Sequence, residues 1–265
     1  MKRESINVKA PNETKSQSTN NRATAIVVQG SPLVYAISDL HLAFQTEKPM
    51  NVFGEHWDNY EYKIRDDWNA KVGPDDIGII AGDLSWAMKM EDATLDFDYI
   101  KNLNGTKIII RGNHDYWWKT IGKVRTALRD GNVIALQTDA VRVNNIVFAG
   151  TRGWKVPERR HKQDAEDKKI FDREVIRLEL ALKDAKQKIQ PGDKLVVVIH
   201  YPPFNSLRDD SPFTKLMQEH RVDACVYGHL HSKGGRVDLV TKKNGVTYYL
   251  TSCDILNFTV AEIKL

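Results

Sequence analysis

From residue 25 onward the chain alternates short apolar runs with longer mixed stretches. The runs are LVYAIS at 33–38, IGIIAG at 77–82, KIIIRG at 107–112, IVFAG at 146–150, LVVVIH at 195–200 and ACVYGH at 224–229. Each is four to six apolar residues long and breaks off at Gly, Asp, His or Asn. That length and β-branched content fit strands buried on both faces of a sheet. Two hairpins fit as well: Val141-Arg142-Val143 and Ile146-Val147-Phe148 flank Asn144-Asn145, and Arg236–Thr241 is joined to Val246–Leu250 through Lys242-Lys243-Asn244-Gly245. The pattern predicts an α/β architecture with a mixed sheet.

One long helix is predicted over 164–189. Phe171, Val175, Leu178, Leu182, Ala185 and Ile189 recur every three or four residues, and Pro191-Gly192 ends the segment. The stripe reads as a helix covering the sheet, with a projecting lid or a partner-binding helix as the alternatives. Residues 1–24 hold almost no large apolar side chain and read as a disordered tail before a single domain over 25–265.

Composition narrows the classes. With 265 residues, 41% hydrophobic and 28% charged, and a mean hydropathy of -0.47, the chain suits a globular domain with a sizeable core. No apolar run approaches the roughly 20 residues of a membrane span, and the polar start lacks a signal-peptide core. Net charge is +4, but residues 1–30 alone hold five basic against two acidic side chains, leaving +1 for the rest. A near-neutral folded region speaks against a nucleic-acid partner. Cys225 and Cys253 are too few for a disulfide framework or a four-thiolate zinc site, so a cytoplasmic location is expected.

The polar residues at the strand ends form a series: Ser38-Asp39-Leu40-His41, Gly82-Asp83, Gly112-Asn113-His114-Asp115, His200, and Gly228-His229-Leu230-His231. Five of the eight histidines lie in it. All five blocks can meet at one sheet edge, where α/β proteins place their sites. Extended geometry would put Asp39 and His41 on the same side, and likewise His229 and His231. Two Asp, one Asn and four His besides His114 are too many ligands for one ion. Two ions roughly 3.5–4 Å apart, bridged by a carboxylate, would use them all and form a clamp for phosphoryl displacement. The thiolate-free set suits Mn foremost, and also Fe, Zn, Mg or Co.

This series resembles the calcineurin-like metallophosphoesterase superfamily, whose pattern is D-x-H, G-D, G-N-H-D/E, a lone H and G-H-x-H. The resemblance spans roughly residues 33–265. It is particularly to bacterial predicted phosphohydrolases with HYPPF and RGNHDYWW neighbourhoods, present here at 200–204 and 111–118. It implies a β-sandwich of two mixed sheets flanked by helices. It further implies that Asp39, His41, Asp83 and His231 hold one metal, and Asp83, Asn113, His200 and His229 the other. Asp83 would bridge, and a water between the ions would become the attacking hydroxide. His114 would face the phosphate and stabilise charge or protonate the leaving oxygen. One branch, the protein Ser/Thr phosphatases, carries G-D-x-V-D-R-G, whereas this chain reads Gly82-Asp83-Leu84-Ser85-Trp86-Ala87. The orienting Asp and the phosphate-gripping Arg are missing there, which argues against protein phosphatase activity and leaves Asp115 as the candidate support for His114.

Trp57, Trp86, Trp117, Trp118 and Trp154 lie beside motif blocks, with core packing the favoured role for each and a stacking wall the alternative. Arg152, Trp154 and Trp86 are candidate substrate contacts. Arg111 is expected to pair with a nearby carboxylate, His56 to be a satisfied structural histidine, His161 and His220 to be surface residues, and both cysteines to be apolar packers. The expected function is a dinuclear metal-dependent hydrolase of small phosphomonoesters or phosphodiesters. A nuclease using the same metals and a non-catalytic scaffold are the alternatives, with no protein or membrane partner evident.

Overall fold

The computed structural model describes residues 32–160, 163–231 and 237–265. The 1–24 tail, His161 and the start of the expected 236–241 strand lie outside the described residues. In chain order the elements are β1 (Val34–Ile37), α1 (Tyr60–Lys71), β2 (Ile77–Ile80), α2 (Thr94–Lys101), β3 (Thr106–Ile110), α3 (Ile121–Leu128), β4 (Val133–Leu136), β5 (Asp139–Val143), β6 (Ile146–Gly150), α4 (Ala165–Lys188), β7 (Lys194–Val198), α5 (Pro212–Glu219), β8 (Ala224–Tyr227), β9 (Val240–Lys243), β10 (Val246–Leu250) and β11 (Ala261–Glu262).

The strands form two mixed sheets, β11-β1-β2-β3-β4 and β5-β6-β7-β8-β10-β9. The first is parallel except for β11. The second is parallel at its centre and closed by antiparallel hairpins at both edges. Alternation along each strand decides the layering. Ile108 and Ile110 join Val196 and Val198 in the core between the sheets. Ile109 instead faces Ile64, Trp68 and Phe97 of α1 and α2, and Val197 faces Leu178, Leu182 and Phe213 of α4 and α5. Both strand faces are therefore buried, and the architecture is a β-sandwich flanked by helices.

All six apolar runs become strands, each ending before its polar block. The 141–148 hairpin stands as expected, its turn at Asn144-Asn145. The later hairpin turns on Asn244-Gly245 alone, because Val246 already pairs with Lys243. Positive φ at both residues, 51° and 80°, gives the tight turn that Asn-Gly favours. The long helix is capped by Asp164, whose side chain accepts the Asp167 N–H at 2.7 Å. It covers the second sheet through Phe171, Leu178, Leu182 and Ala185. Ile189 falls beyond its end and is exposed, whereas Glu174 is fully buried. No helix among the described residues is long and apolar enough to cross a membrane.

Candidate metal centre

The five polar blocks meet at the C-terminal ends of β1, β2, β3, β7 and β8. Backbone hydrogen bonds tie the loops together: Asp39 N–H donates to Gly82 O at 3.0 Å, His41 N–H to Asp83 O at 3.0 Å, and Gly228 N–H to His200 O at 3.0 Å. Two glycines make this close approach feasible. A Cβ on Gly112 would stand 2.1 Å from Asp83 Oδ1, and one on Gly228 would stand 2.4 Å from Asp39 Oδ2.

Strand alternation does not bring the ligand pairs together. β1 ends at Ile37 and β8 at Tyr227, and Asp39, His41, Asp83 and His229 all have positive φ, from 48° to 71°. The side chains converge because the chain turns sharply at each motif residue, so the expectation of extended geometry is corrected. Left-handed backbone at non-glycine residues is uncommon and concentrates at functional sites.

Two acid–imidazole triads result, each with donor atoms within 4.8 Å of one another: Asp39, His41 and His231, and Asp39, Asp83 and His200. Asp39 is common to both, whereas the resemblance gives the shared place to Asp83. Asp83 Oδ2 nevertheless lies 3.4 Å from His200 Nε2 and 3.9 Å from His41 Nε2. Asn113 Oδ1 sits 2.7 Å from His200 Nε2. His229 is adjacent but in neither triad; its N–H donates to Asp39 Oδ2 at 2.9 Å and its ring packs on Tyr201 at 4.2 Å.

The donors fit a divalent cation. Two ligand atoms about 2.1 Å from one ion stand roughly 3–3.5 Å apart, near the Asp83–His200 separation and slightly short of the 3.8 Å between His231 Nε2 and Asp39 Oδ1. His41 Nδ1 is buried with no hydrogen-bond partner. Burial would raise the Asp83 carboxyl, but His200, His41 and the His114 N–H together hold it well below the usual carboxylate range. Burial lowers His41 and His229 to about 4. Against burial, the Asp83 charge pushes His200 up to about 9. A cation taken up beside Asp83 would displace that proton.

Several supporting residues were not apparent from spacing. His231 Nδ1 lies 3.0 Å from Asp254 Oδ1, turning Nε2 toward Asp39. His200 Nδ1 lies 3.0 Å from Ala81 O, which fixes its tautomer in the same way. Ser38 and Ser252 hydroxyls both donate to Asp39 Oδ2, at 2.6 and 2.9 Å. Asp254→Ala should weaken metal binding about 10–100-fold with the fold retained; a Mn²⁺ titration followed by calorimetry reads it.

Asp115 does not support the His114 ring. Its carboxylate is fully buried and accepts the N–H groups of Leu84, Ser85 and Gly112 and the indole N–H of Trp117. It ties the Gly82-Asp83 loop to the Gly112–Asp115 loop. His114 itself is anchored by its N–H to Asp83 Oδ1 at 2.7 Å, and burial lowers its imidazole. The ring lies 4.5 Å from Trp86 and 5.5 Å from His41.

These rings open onto a cavity of about 340 Å³ lined by His41, Trp57, Trp86, His114, His231 and Asp254. Trp86 stacks on His41 at 4.5 Å. Trp57, Trp117 and Trp118 are core residues, and Trp154 packs on Tyr201. His56 is exposed at the cavity rim, where its ring lies 5.8 Å from Trp57 and 6.1 Å from Phe258. Arg111 has no carboxylate partner among the described residues, against expectation. Arg152 lines a separate cavity that includes no triad residue. Both cysteines are buried, and Cys253 Sγ also donates to Asp39 O.

The family model described as calcineurin-like phosphoesterase matches residues 32–233. The chain belongs to the calcineurin-like phosphoesterase family. Membership implies a phosphoester hydrolase of a typically metal-dependent family, and the matched span contains all five strand-end blocks. No curated protein matches the sequence. Similar solved structures include a protein of unknown function from Aquifex aeolicus, at 15% identity and TM-score 0.47, covering 88% of this chain and 96% of that one. Another is the Thermus thermophilus sulfate thiohydrolase SoxB, at 12% identity and TM-score 0.45, covering 84% of this chain and 52% of SoxB. A cold-active protein tyrosine phosphatase from a Shewanella species matches at 12% identity and TM-score 0.37, covering 91% and 82%.

Proposed function

We propose that the protein is a dinuclear metal-dependent phosphoesterase acting on a small phosphomonoester or phosphodiester. The observation that carries this reading is the pair of triads joined at Asp39 beside a cavity walled by aromatic rings. Asp39, His41, Asp83 and His231 would hold one ion, and Asp83, Asn113, His200 and His229 the other, with manganese first among Mn, Fe, Zn, Mg and Co. When bound, such ions polarise a phosphoryl oxygen and acidify a water.

The chain's own groups supply the rest. Asp83 holds His114 through its backbone N–H, which keeps the imidazole at the cavity wall. There His114 stabilises developing negative charge or protonates the leaving oxygen. Asp254 and Ala81 O orient His231 and His200 from behind. Trp86 gives the leaving group a planar, apolar surface that sheds water. A cavity of about 340 Å³ suits a small molecule, and the near-neutral folded region favours such a substrate over a nucleic-acid polymer.

The test compares p-nitrophenyl phosphate and bis-p-nitrophenyl phosphate with and without Mn²⁺. Turnover of either that depends on added metal supports the reading, and the ratio selects monoester or diester substrates. Equal rates with Mn²⁺ and with excess chelator would overturn it.

A further inference from the structure

A second group of charged side chains gathers at the sandwich edge, outside the triads. Arg111 follows β3, Arg152 follows β6, and Arg173 and Arg177 lie one turn apart on α4. With Gln137 and Thr151 they line a cavity of about 170 Å³. Among the described residues, one carboxylate faces them. Glu174, fully buried, lies 2.6 Å from Arg177 Nη1, 3.6 Å from Arg152 Nη2 and 3.9 Å from Arg173 Nε, and accepts the Thr151 hydroxyl at 3.3 Å.

Among the described residues, four guanidinium groups face one carboxylate, which leaves three of their positive charges without a carboxylate partner. Two donors are also unused: Nε of Arg111 and Nε of Arg152 are both buried without a hydrogen-bond partner. Buried donors in folded proteins are almost always paired, and a guanidinium can only donate. The cavity therefore lacks a negatively charged group with several acceptor oxygens. A tetrahedral phosphate meets that need, since its oxygens match the planar fork of arginine. Leaving four arginines together for structure alone is uneconomical when Glu174 can neutralise only one.

We propose that this cavity binds a phosphate group through Arg111, Arg152, Arg173 and Arg177. The group is either a second phosphoryl of the substrate or free inorganic phosphate. The cavity adjoins the candidate metal centre: Arg111 lies two residues before Asn113, and Arg152 O accepts the His200 N–H at 2.9 Å. The substrate alternative rests on the phosphoesterase reading; binding of phosphate does not.

The experiment titrates the full-length chain with inorganic phosphate by calorimetry, using wild type, Arg173→Gln/Arg177→Gln, Glu174→Gln and Asp83→Ala. Both arginines replaced are partly exposed, and thermal melts check that each variant folds. The expected result is phosphate binding weakened about tenfold or more in the double variant, strengthened in Glu174→Gln and retained in Asp83→Ala. A purely structural cluster would not give opposite shifts for the arginine and glutamate changes. Absence of phosphate binding, or binding lost in Asp83→Ala and unaltered in the double variant, would overturn the assignment. The two sources then separate kinetically. If KM for an alkanediol bisphosphate rises more than KM for p-nitrophenyl phosphate in the double variant, the group belongs to the substrate. Equal KM effects with weakened phosphate binding assign the site to free phosphate.

Discussion

Asp83→Ala is expected to lower metal-dependent phosphoester hydrolysis by about a thousandfold or more. The side chain has three tasks at once. Its Oδ2 stands between His200 and His41, its Oδ1 accepts the His114 N–H, and its charge is the main source of the upward shift at His200. A lost ligand removes several kcal/mol of charge stabilisation, and each 1.36 kcal/mol is a factor of ten in rate. Asp83→Asn keeps the acceptor for His114 and removes only the charge. Its activity should fall almost as far, which separates a role in metal binding from one in positioning the loop. Initial rates on p-nitrophenyl phosphate with saturating Mn²⁺ check both. Turnover within tenfold of wild type in either variant would remove Asp83 from the proposed centre.

Asp115→Ala is expected to cost the fold about 3–5 kcal/mol, the largest stability effect of any single motif residue. Four N–H donors converge on this one buried carboxylate, three of them backbone groups of the two loops that carry Asp83 and Asn113. Truncation leaves several of them unpaired in the interior, at about 1–3 kcal/mol each before relaxation. Urea unfolding followed by tryptophan fluorescence measures the loss. Because Gly112 N and Leu84 N are freed together, the loops should also separate, and metal affinity should fall with stability. A change below 1 kcal/mol would show that water or rearrangement replaces the carboxylate.

The six central strands were legible because each is apolar on both faces, unlike β9 and β11, and the five blocks because each is short and follows a strand directly. The supporting groups were not. Asp254 reaches His231 across 23 residues, and Ser252 reaches Asp39 across 213; no local spacing encodes such contacts. Glu174 interrupts no stripe, since it lies on a helix otherwise read correctly from Phe171, Leu178 and Leu182, and its burial depends on Thr151 and Arg152 arriving from the segment after β6. The left-handed turns at Asp39 and His41 were hidden for a similar reason. They are imposed by hydrogen bonds to Gly82 O and Asp83 O in a different loop, so the alternation expected of a strand gives way to tertiary contacts. The short amphipathic helices α1 and α2 show too few apolar positions, such as Tyr60, Ile64 and Trp68, to stand out from the surrounding charge.

The most direct test of the two-metal account is the number of Mn²⁺ ions bound per chain, measured by equilibrium dialysis on wild type and on Asp39→Ala. Two ions per wild-type chain are expected, and at most one in Asp39→Ala, which loses a carboxylate ligand of one proposed ion and a member of both triads. The bound ions should also raise the wild-type melting temperature by mass action, an effect reduced in the variant. No Mn²⁺ bound by wild type, or two ions still bound by Asp39→Ala, would contradict the placement of a dinuclear centre at these strand ends.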